Sequence, residues 1–234
     1  LNRLALVVGA SGGVGRALAD ALQTRGDHDA VVALSRTRPT GWSGLHVGLD
    51  LLDERSVADA ALAVAEFGTP TTVIVATGLL HDGAIQPEKT YRALDPEALH
   101  RLFAVNAIGP AILAKHLLPL MPRGERSVFA ALSARVGSIG DNRAGGWYGY
   151  RASKAALNML VKTLAIEHRR THPKGLCVAL HPGTVRTELS APFAGARETL
   201  SPEQSAAALL KVLDGLTPEQ TGCVFAWDGA PLPW

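Results

Sequence analysis

The sequence predicts an α/β protein: a parallel sheet of about seven strands, with helices packed on both faces. Two observations predict it. Short runs rich in Val, Leu and Ala alternate with longer segments of helical spacing along the whole 234-residue chain. Such alternation is the mark of crossover connections, which lay parallel strands in one sheet and helices over it. The strand runs are also apolar at nearly every position, as strands covered on both faces are. At 47% hydrophobic and 19% charged, the chain has enough apolar mass for one core. No repeat or linker divides it, so residues 1–234 read as a single domain.

The elements follow in order. "RLALVVGA" is a buried strand that ends in glycine. Gly13 to Arg25 has helical spacing, with Val14, Leu18, Ala21 and Leu22 on one face. "AVVALS" is the second strand and "GLHVGLD" a short third. Asp53 caps a helix that runs to about Phe67. "TTVIVAT" is the fourth strand, and Pro96 starts the long helix "EALHRLFAVNAIGPAILAKHLLPL". "SVFAAL", the helix "YRASKAALNMLVKTLAIEHRR" and "GLCVALHPG" come next, then the capped helix "SPEQSAAALLKVLDGL" and a last strand in "CVFAWDG". The least regular stretches are Leu79 to Leu94 and Glu188 to Leu200.

Several classes of function are disfavoured. A net charge of +2 without a basic block argues against nucleic acid. No apolar run approaches the roughly 18 residues of a membrane span. "LNRLALVVGASGGVG" is too rich in glycine to be a signal peptide. Cys177 and Cys223 sit in apolar runs and read as buried free thiols of a cytoplasmic protein. The eight histidines are scattered, and no metal-ligand spacing occurs.

The first turn is more informative. "VVGASGGVGRAL" joins strand to helix and spaces Gly9, Gly13 and Gly15 as G-x-x-x-G-x-G. Glycines allow a tight turn and close approach to a pyrophosphate, and the helix start favours an anion. The sheet is therefore a Rossmann-type, doubly wound one, with Gly9, Ser11, Gly13, Val14 and Gly15 as candidate dinucleotide contacts. The second strand ends in "LSRTR", where an acid would bind the ribose hydroxyls of NAD. Here Ser35 is followed by Arg36, with Arg38 beyond, and a guanidinium suits a 2′-phosphate. NADP(H) is the expected cofactor, ahead of NAD(H). Asp50 and Leu51, after the third strand, are the adenine-side candidates.

"GGWYGYRASKAALNML" poses a choice of tyrosine. Tyr150 and Lys154 are four apart and share a helix face; Tyr148 and Lys154 are six apart and do not. A free phenol, with a pKa of about 10, is a poor acid or base at neutral pH. A lysine ammonium beside it stabilises the phenolate, so Lys154 is expected to lower the value for Tyr150.

With "GASGGVG", "VNAIGP", "YRASK" and "HPGTVRTEL" in this order, the whole chain resembles the short-chain dehydrogenase/reductase family. "LSARVGSIGDNRAGGWYGYRASKAAL" and "FAWDGAPLPW" are similar to its C-factor-like bacterial branch. The resemblance implies Tyr150 as general acid/base, Lys154 as holder of the nicotinamide ribose and Asn106 as anchor of a water in a proton relay. It further implies Pro182, Gly183, Val185 and Thr187 at the nicotinamide, and Gly78 near the adenosine ribose. Two places depart from the family. Its Asn-Asn-Ala-Gly run is Val75, Ala76, Thr77 and Gly78 here. Its Ser-Ser pair is Ser133-Ala134, with alanine in the catalytic place. Ser133 is taken as the catalytic hydroxyl, with Ser138 as the other candidate. Successive strand residues face opposite ways, so Ser133 serves only if the strand end is already turning.

The expected activity is hydride transfer between NADP(H) and a small carbonyl or alcohol, with substrate specificity in the irregular stretches and the loop after Ser138. Trp147, Tyr148, Phe193 and Trp227 are candidate pocket aromatics. The alternative is a low-turnover nucleotide-binding protein that signals through partners. The helix from Tyr150 is apolar almost all round, at Ala152, Ala155, Ala156, Leu157, Met159, Leu160, Val161, Leu164, Ala165 and Ile166. With Ile108, Ala111, Ile112 and Leu117 before it, this surplus predicts a homodimer or homotetramer.

Overall fold

The protein, described by a computed structural model over residues 2–193 and 199–234, is built on one seven-stranded sheet. The strands are β1 (Arg3–Val8), β2 (Ala30–Ser35), β3 (Leu45–Gly48), β4 (Thr69–Val75), β5 (Ser127–Leu132), β6 (Gly175–His181) and β7 (Val224–Ala226). All pair in parallel, in the order β3-β2-β1-β4-β5-β6-β7. The order reverses between β1 and β4, so the connections leave those strands in opposite directions. That opens a crevice at their carboxyl ends, where such folds bind ligands.

Helices α1 (Gly13–Arg25), α2 (Glu54–Phe67), α3 (Pro96–Phe103), α4 (Gly109–Leu117), α5 (Tyr148–His168) and α6 (Pro202–Gly215) complete the layers. One core, under α1 and α6, holds Leu18, Leu22, Leu209 and Leu213 against Val7, Ile74 and Val178. The other, under α2, α4 and α5, holds Val57, Leu113, Leu157 and Val161 against Leu6, Val73 and Phe129. The caps are those the residue types call for: Asp53 accepts from Arg55 N, and Ser201 and Gln204 form a reciprocal capping box.

The helix expected after Pro96 contains a wide turn. Between α3 and α4, Ala104–Ile108 forms a π-turn, and Gly109 N–H donates to Ala104 O. Pro110 explains it. A proline inside a helix has no N–H and presses on the carbonyl four residues back, here that of Asn106. Widening the turn relieves the clash and turns Asn106 inward, where it is fully buried.

The same segment corrects another expectation. An 18-residue window within Pro96–Leu120 has a mean hydropathy of 1.3, which makes the helix long and apolar enough to cross a membrane by length and composition. Half of that window is buried inside the protein, with Leu102, Ala107, Leu113 and Leu117 in the interior. Its apolarity is that of a core helix. Of the two cysteines only Cys177 is fully buried, and burial pushes its thiol up to about 12; Cys223 is half-buried.

Candidate active site

A cleft of about 310 Å³ lies over the carboxyl ends of the strands around β1 and β4. Gly9, Ser11, Ser35, Arg36, Asp50, Leu51 and Gly78 line it, as the sequence candidates require. Gly13, Val14 and Gly15 do not line it, but they shape it. A Cβ on Gly15 would stand 2.2 Å from Gly9 O, and one on Gly13 would stand 2.9 Å from Thr187 Cγ2. Val14 packs against the core below α1. Gly9 has φ +83°, in the left-handed region where a side chain is strained.

Two features of the cleft fit a dinucleotide. The first turn of α1 starts at Gly12 with no side-chain cap, which leaves its N–H groups open to an anion. Thr77 Oγ1, in the place of the family's alanine, is buried without a partner among the described residues. An orphaned hydroxyl of this kind costs about 1–3 kcal/mol unless a ligand satisfies it. Of the two arginines, Arg38 spends its guanidinium on Trp42 O and Gly44 O, both at 3.1 Å, and Arg36 alone faces the cleft. Asp50 Oδ1 accepts from Leu52 N at 3.0 Å and so also holds its own turn.

The reacting end sits at the start of α5. Tyr150 and Lys154 are buried on one helix face, with Lys154 Nζ 5.9 Å from the phenol ring centre. Nζ donates to Leu132 O at 2.7 Å. A Cβ on Gly78 would lie 3.7 Å from Lys154 Nζ and 3.8 Å from Asn106 Oδ1, so the cleft and the Tyr–Lys pair meet at Gly78. Asn106 Oδ1 accepts from Leu79 N, and its Nδ2 donates to Leu79 O, both at 2.8 Å, and to Ser153 Oγ at 3.1 Å. Asn106 therefore pins the chain just after Gly78. No spacing pattern points to Ser153, whose Oγ accepts from Asn106 and donates to Tyr150 O at 2.9 Å.

In the polypeptide without cofactor, burial governs the electrostatics of the pair. Burial pushes the Tyr150 phenol up to about 12 and the Lys154 ammonium down to about 7. In the polypeptide alone, desolvation outweighs the lysine's pull, because taking either charge out of water costs more than a neighbour 5.9 Å from the ring returns. Tyr150 is thus a protonated phenol at neutral pH, the form that an acid needs.

Ser133 does not join this cluster. Its Oγ donates to Asn158 Oδ1 in α5 at 2.7 Å, while its N–H still belongs to the sheet, donating to Leu180 O. Ala134 is extended, at φ −149° and ψ 147°, so the strand end has not turned, and the two side chains diverge. It is Ala134 that packs beside Tyr150, with Leu80, Val136, Trp147, Leu189 and Phe193. Ser138 is equally engaged, donating to Trp234 O and accepting from Asp141 N. Both candidate hydroxyls are thus bonded to other groups, and of the Ser133–Ala134 pair it is the alanine that packs against Tyr150.

Of the candidate aromatics, Trp147 and Phe193 flank Tyr150, with ring centroids 6.2 Å (Trp147–Tyr150) and 5.3 Å (Trp147–Phe193) apart. Tyr148 opens the helix, 37% exposed and outside the cluster. Trp227 lies over Gly183, whose Cβ would stand 2.9 Å from its ring. Pro182 O accepts from Ser205 Oγ in α6 at 2.8 Å, Thr187 N donates to Ser190 Oγ at 3.2 Å with its side chain against Gly13 of α1, and Val185 is buried and bridges Leu200. Of the segment Glu188 to Leu200, residues 194–198 lie outside the described residues.

A Rossmann-type cleft that ends on a buried Tyr–Lys pair and an inward-turned asparagine defines a class of nucleotide-dependent oxidoreductase, and comparison with known proteins agrees. The family model for short chain dehydrogenases matches residues 3–197, and the chain belongs to that family. It is 32% identical over 231 residues to 1-hydroxy-2-glutathionyl-2-methyl-3-butene dehydrogenase of Rhodococcus sp. (strain AD45), covering 98% of both chains. It is 39% identical to C-signal of Myxococcus xanthus over 142 residues, 60% of this chain and 81% of that one. The structure superposes on NADPH-bound carbonyl reductase from chicken fatty liver with a TM-score of 0.84, at 27% identity and covering 99% of both chains.

Proposed function

We propose that the protein is an NADPH-dependent reductase of small apolar carbonyl compounds, with Tyr150 as the general acid. The observation that carries this reading is the buried Tyr150–Lys154 pair, met at Gly78 by the nucleotide cleft and by Asn106. The cleft lined by Gly9, Ser11, Arg36 and Gly78 would hold NADPH, which would supply hydride to the carbonyl carbon. Tyr150 Oη, protonated and buried, donates its proton to the carbonyl oxygen, and Lys154 and the Asn106 relay return one. Arg36 at the cleft rim is the group that would take a 2′-phosphate, and the NADPH-bound avian reductase supports that choice. Leu80, Ala134, Val136, Trp147 and Phe193 offer a substrate apolar contact and no hydroxyl, which favours a carbonyl with hydrophobic flanks. The partly exposed apolar residues on α5 and just before α4 support a homodimer or homotetramer. Leu117, Leu157, Val161 and Ala165 are covered by the protein's own sheet, but Ile108, Met159 and Ile166 stand 53%, 66% and 55% exposed.

One observation favours a second reading. With Ala134 in the place of a donor, an oxyanion has one hydrogen bond fewer, worth about 3–4 kcal/mol in kcat at sites of this kind. A slow nucleotide-binding protein acting through partners, as similarity to C-signal suggests, would tolerate that loss. NADPH oxidation against a panel of aromatic and aliphatic carbonyls decides between them. Turnover is expected, to be abolished in Tyr150→Phe and retained in Tyr148→Phe. NADPH binding without turnover on any carbonyl would favour the second reading.

A further inference from the structure

Glu88 lies in the irregular stretch after β4, yet it is only 6% exposed. Its carboxylate reaches across the chain to the start of α5, where Oε1 and Oε2 accept from Gly149 N at 3.2 and 3.3 Å. Its own carbonyl accepts from Trp147 N at 2.5 Å. Nothing local does this work. The N-cap of α5 is Trp147, which has no side-chain cap and is the one non-glycine residue at positive φ (53°) among the described residues. Gly145 and Gly146 before it are left-handed as well, at φ 63° and 64°. The two glycines take that region freely, but Trp147 does not, and its strain persists only where the surroundings hold it. Arg151 holds one side, donating from Nε to Gly145 O and Gly146 O at 3.2 and 2.9 Å. Glu88 holds the other. The fit leaves no slack, since a Cβ on Gly149 would stand 2.9 Å from Glu88 Oε1 and 2.6 Å from Leu102 Cδ1. The next residue is Tyr150.

We infer that Glu88 is a positioning residue: by capping α5 from the substrate-side loop, it sets where the phenol of Tyr150 stands and ties that loop to it. A buried carboxylate is expensive unless hydrogen-bonded, and here its bonds go to the turn that aims the acid. It touches neither Tyr150 Oη nor the cleft, so it acts through the backbone. The inference rests on the reductase reading for its kinetic consequence but not for its structural one.

The test compares Glu88→Gln, Glu88→Ala and Glu88→Asp with the exposed control Lys89→Ala. Glu88→Gln keeps an oxygen that accepts from Gly149 N, and its kcat should stay within about threefold of the parent. Glu88→Ala should lose roughly 30- to 100-fold in kcat, the scale of a misplaced reacting group, with KM for NADPH within about twofold. Hydrogen exchange at the amides of residues 147–150 should accelerate by about tenfold or more in Glu88→Ala and remain unchanged in Lys89→Ala. Should Glu88→Ala not fold, Glu88→Asp decides: it keeps the charge but falls short of Gly149 N, and should match the kcat loss predicted for alanine. Full activity in Glu88→Asp or Glu88→Ala would overturn the inference. So would a glutamine variant as impaired as alanine, or equal losses of kcat and NADPH affinity. A parent protein inert towards every carbonyl would sink the reductase reading alone, and the amide exchange would still decide the role of Glu88.

Discussion

Replacing Lys154 by methionine should stabilise the cofactor-free protein while it destroys activity. Burial depresses the Lys154 ammonium from 10.5 to about 7, a gap that corresponds to roughly 5 kcal/mol. Between those values the unfolded chain binds this proton and the folded chain resists it. Stability therefore rises with pH across the window: the cost is full below pH 7 and fades towards pH 10.5. Methionine has similar length and no charge, so it removes the cost. It also forfeits the 2.7 Å bond to Leu132 O and leaves that carbonyl short of a donor, which costs about 1–3 kcal/mol. The net expectation is a gain of about 2–4 kcal/mol at pH 7, shrinking by about 1.4 kcal/mol for each pH unit above it. Urea unfolding of both proteins without cofactor, at pH 7 and pH 9, measures this directly, provided the slope m stays the same. A methionine variant less stable at pH 7, or a difference that does not change with pH, would refute the reasoning. The outcome expected is a trade of stability for function, as sites that bury a working charge make it.

Other expectations follow from the same site. Arg36→Ala should weaken NADPH binding by about 10-fold or more, the loss of one charge-assisted contact, and leave NADH nearly unchanged in a fluorescence titration; equal effects on both would remove Arg36 from the phosphate site. Ser133→Ala should keep kcat but lower stability by about 1–2 kcal/mol, because Asn158 loses its buried partner, whereas Ala134→Ser should raise kcat by placing a hydroxyl beside Tyr150; the opposite pattern in a paired kinetic and thermal-melting measurement would restore Ser133 to the chemistry. Light scattering at micromolar concentration should give at least twice the 24.5 kDa chain mass, and a charged residue at Met159 should shift it to one chain; a parent protein of one chain mass, with or without NADPH, would defeat the dimer.

The division between what the sequence determined and what folding decided follows the range of the interactions. Alternation of apolar runs with helical spacing, glycines at fixed offsets in the first βα turn, and a tyrosine four residues before a lysine are local patterns. Each is set by backbone geometry within a few residues, so the sheet, the cleft at its carboxyl ends and the Tyr150–Lys154 pair were legible directly. Ser133 was not, because its role depended on whether the backbone at Ala134 was still extended, and that is set by pairing with β6. The ionisation of Tyr150 and Lys154 in the polypeptide alone was not legible either, for a similar reason. Spacing tells that two groups are neighbours, but desolvation depends on everything packed around them. The π-turn at Asn106 could have been argued from Pro110, but its partner Leu79 lies 27 residues away. Glu88 was invisible for the same reason, in a stretch with no periodicity, meeting Gly149 over 61 positions of sequence. Only the folded chain brings such residues within hydrogen-bond reach, and bonds that close loops of that length leave no trace in the spacing of either end.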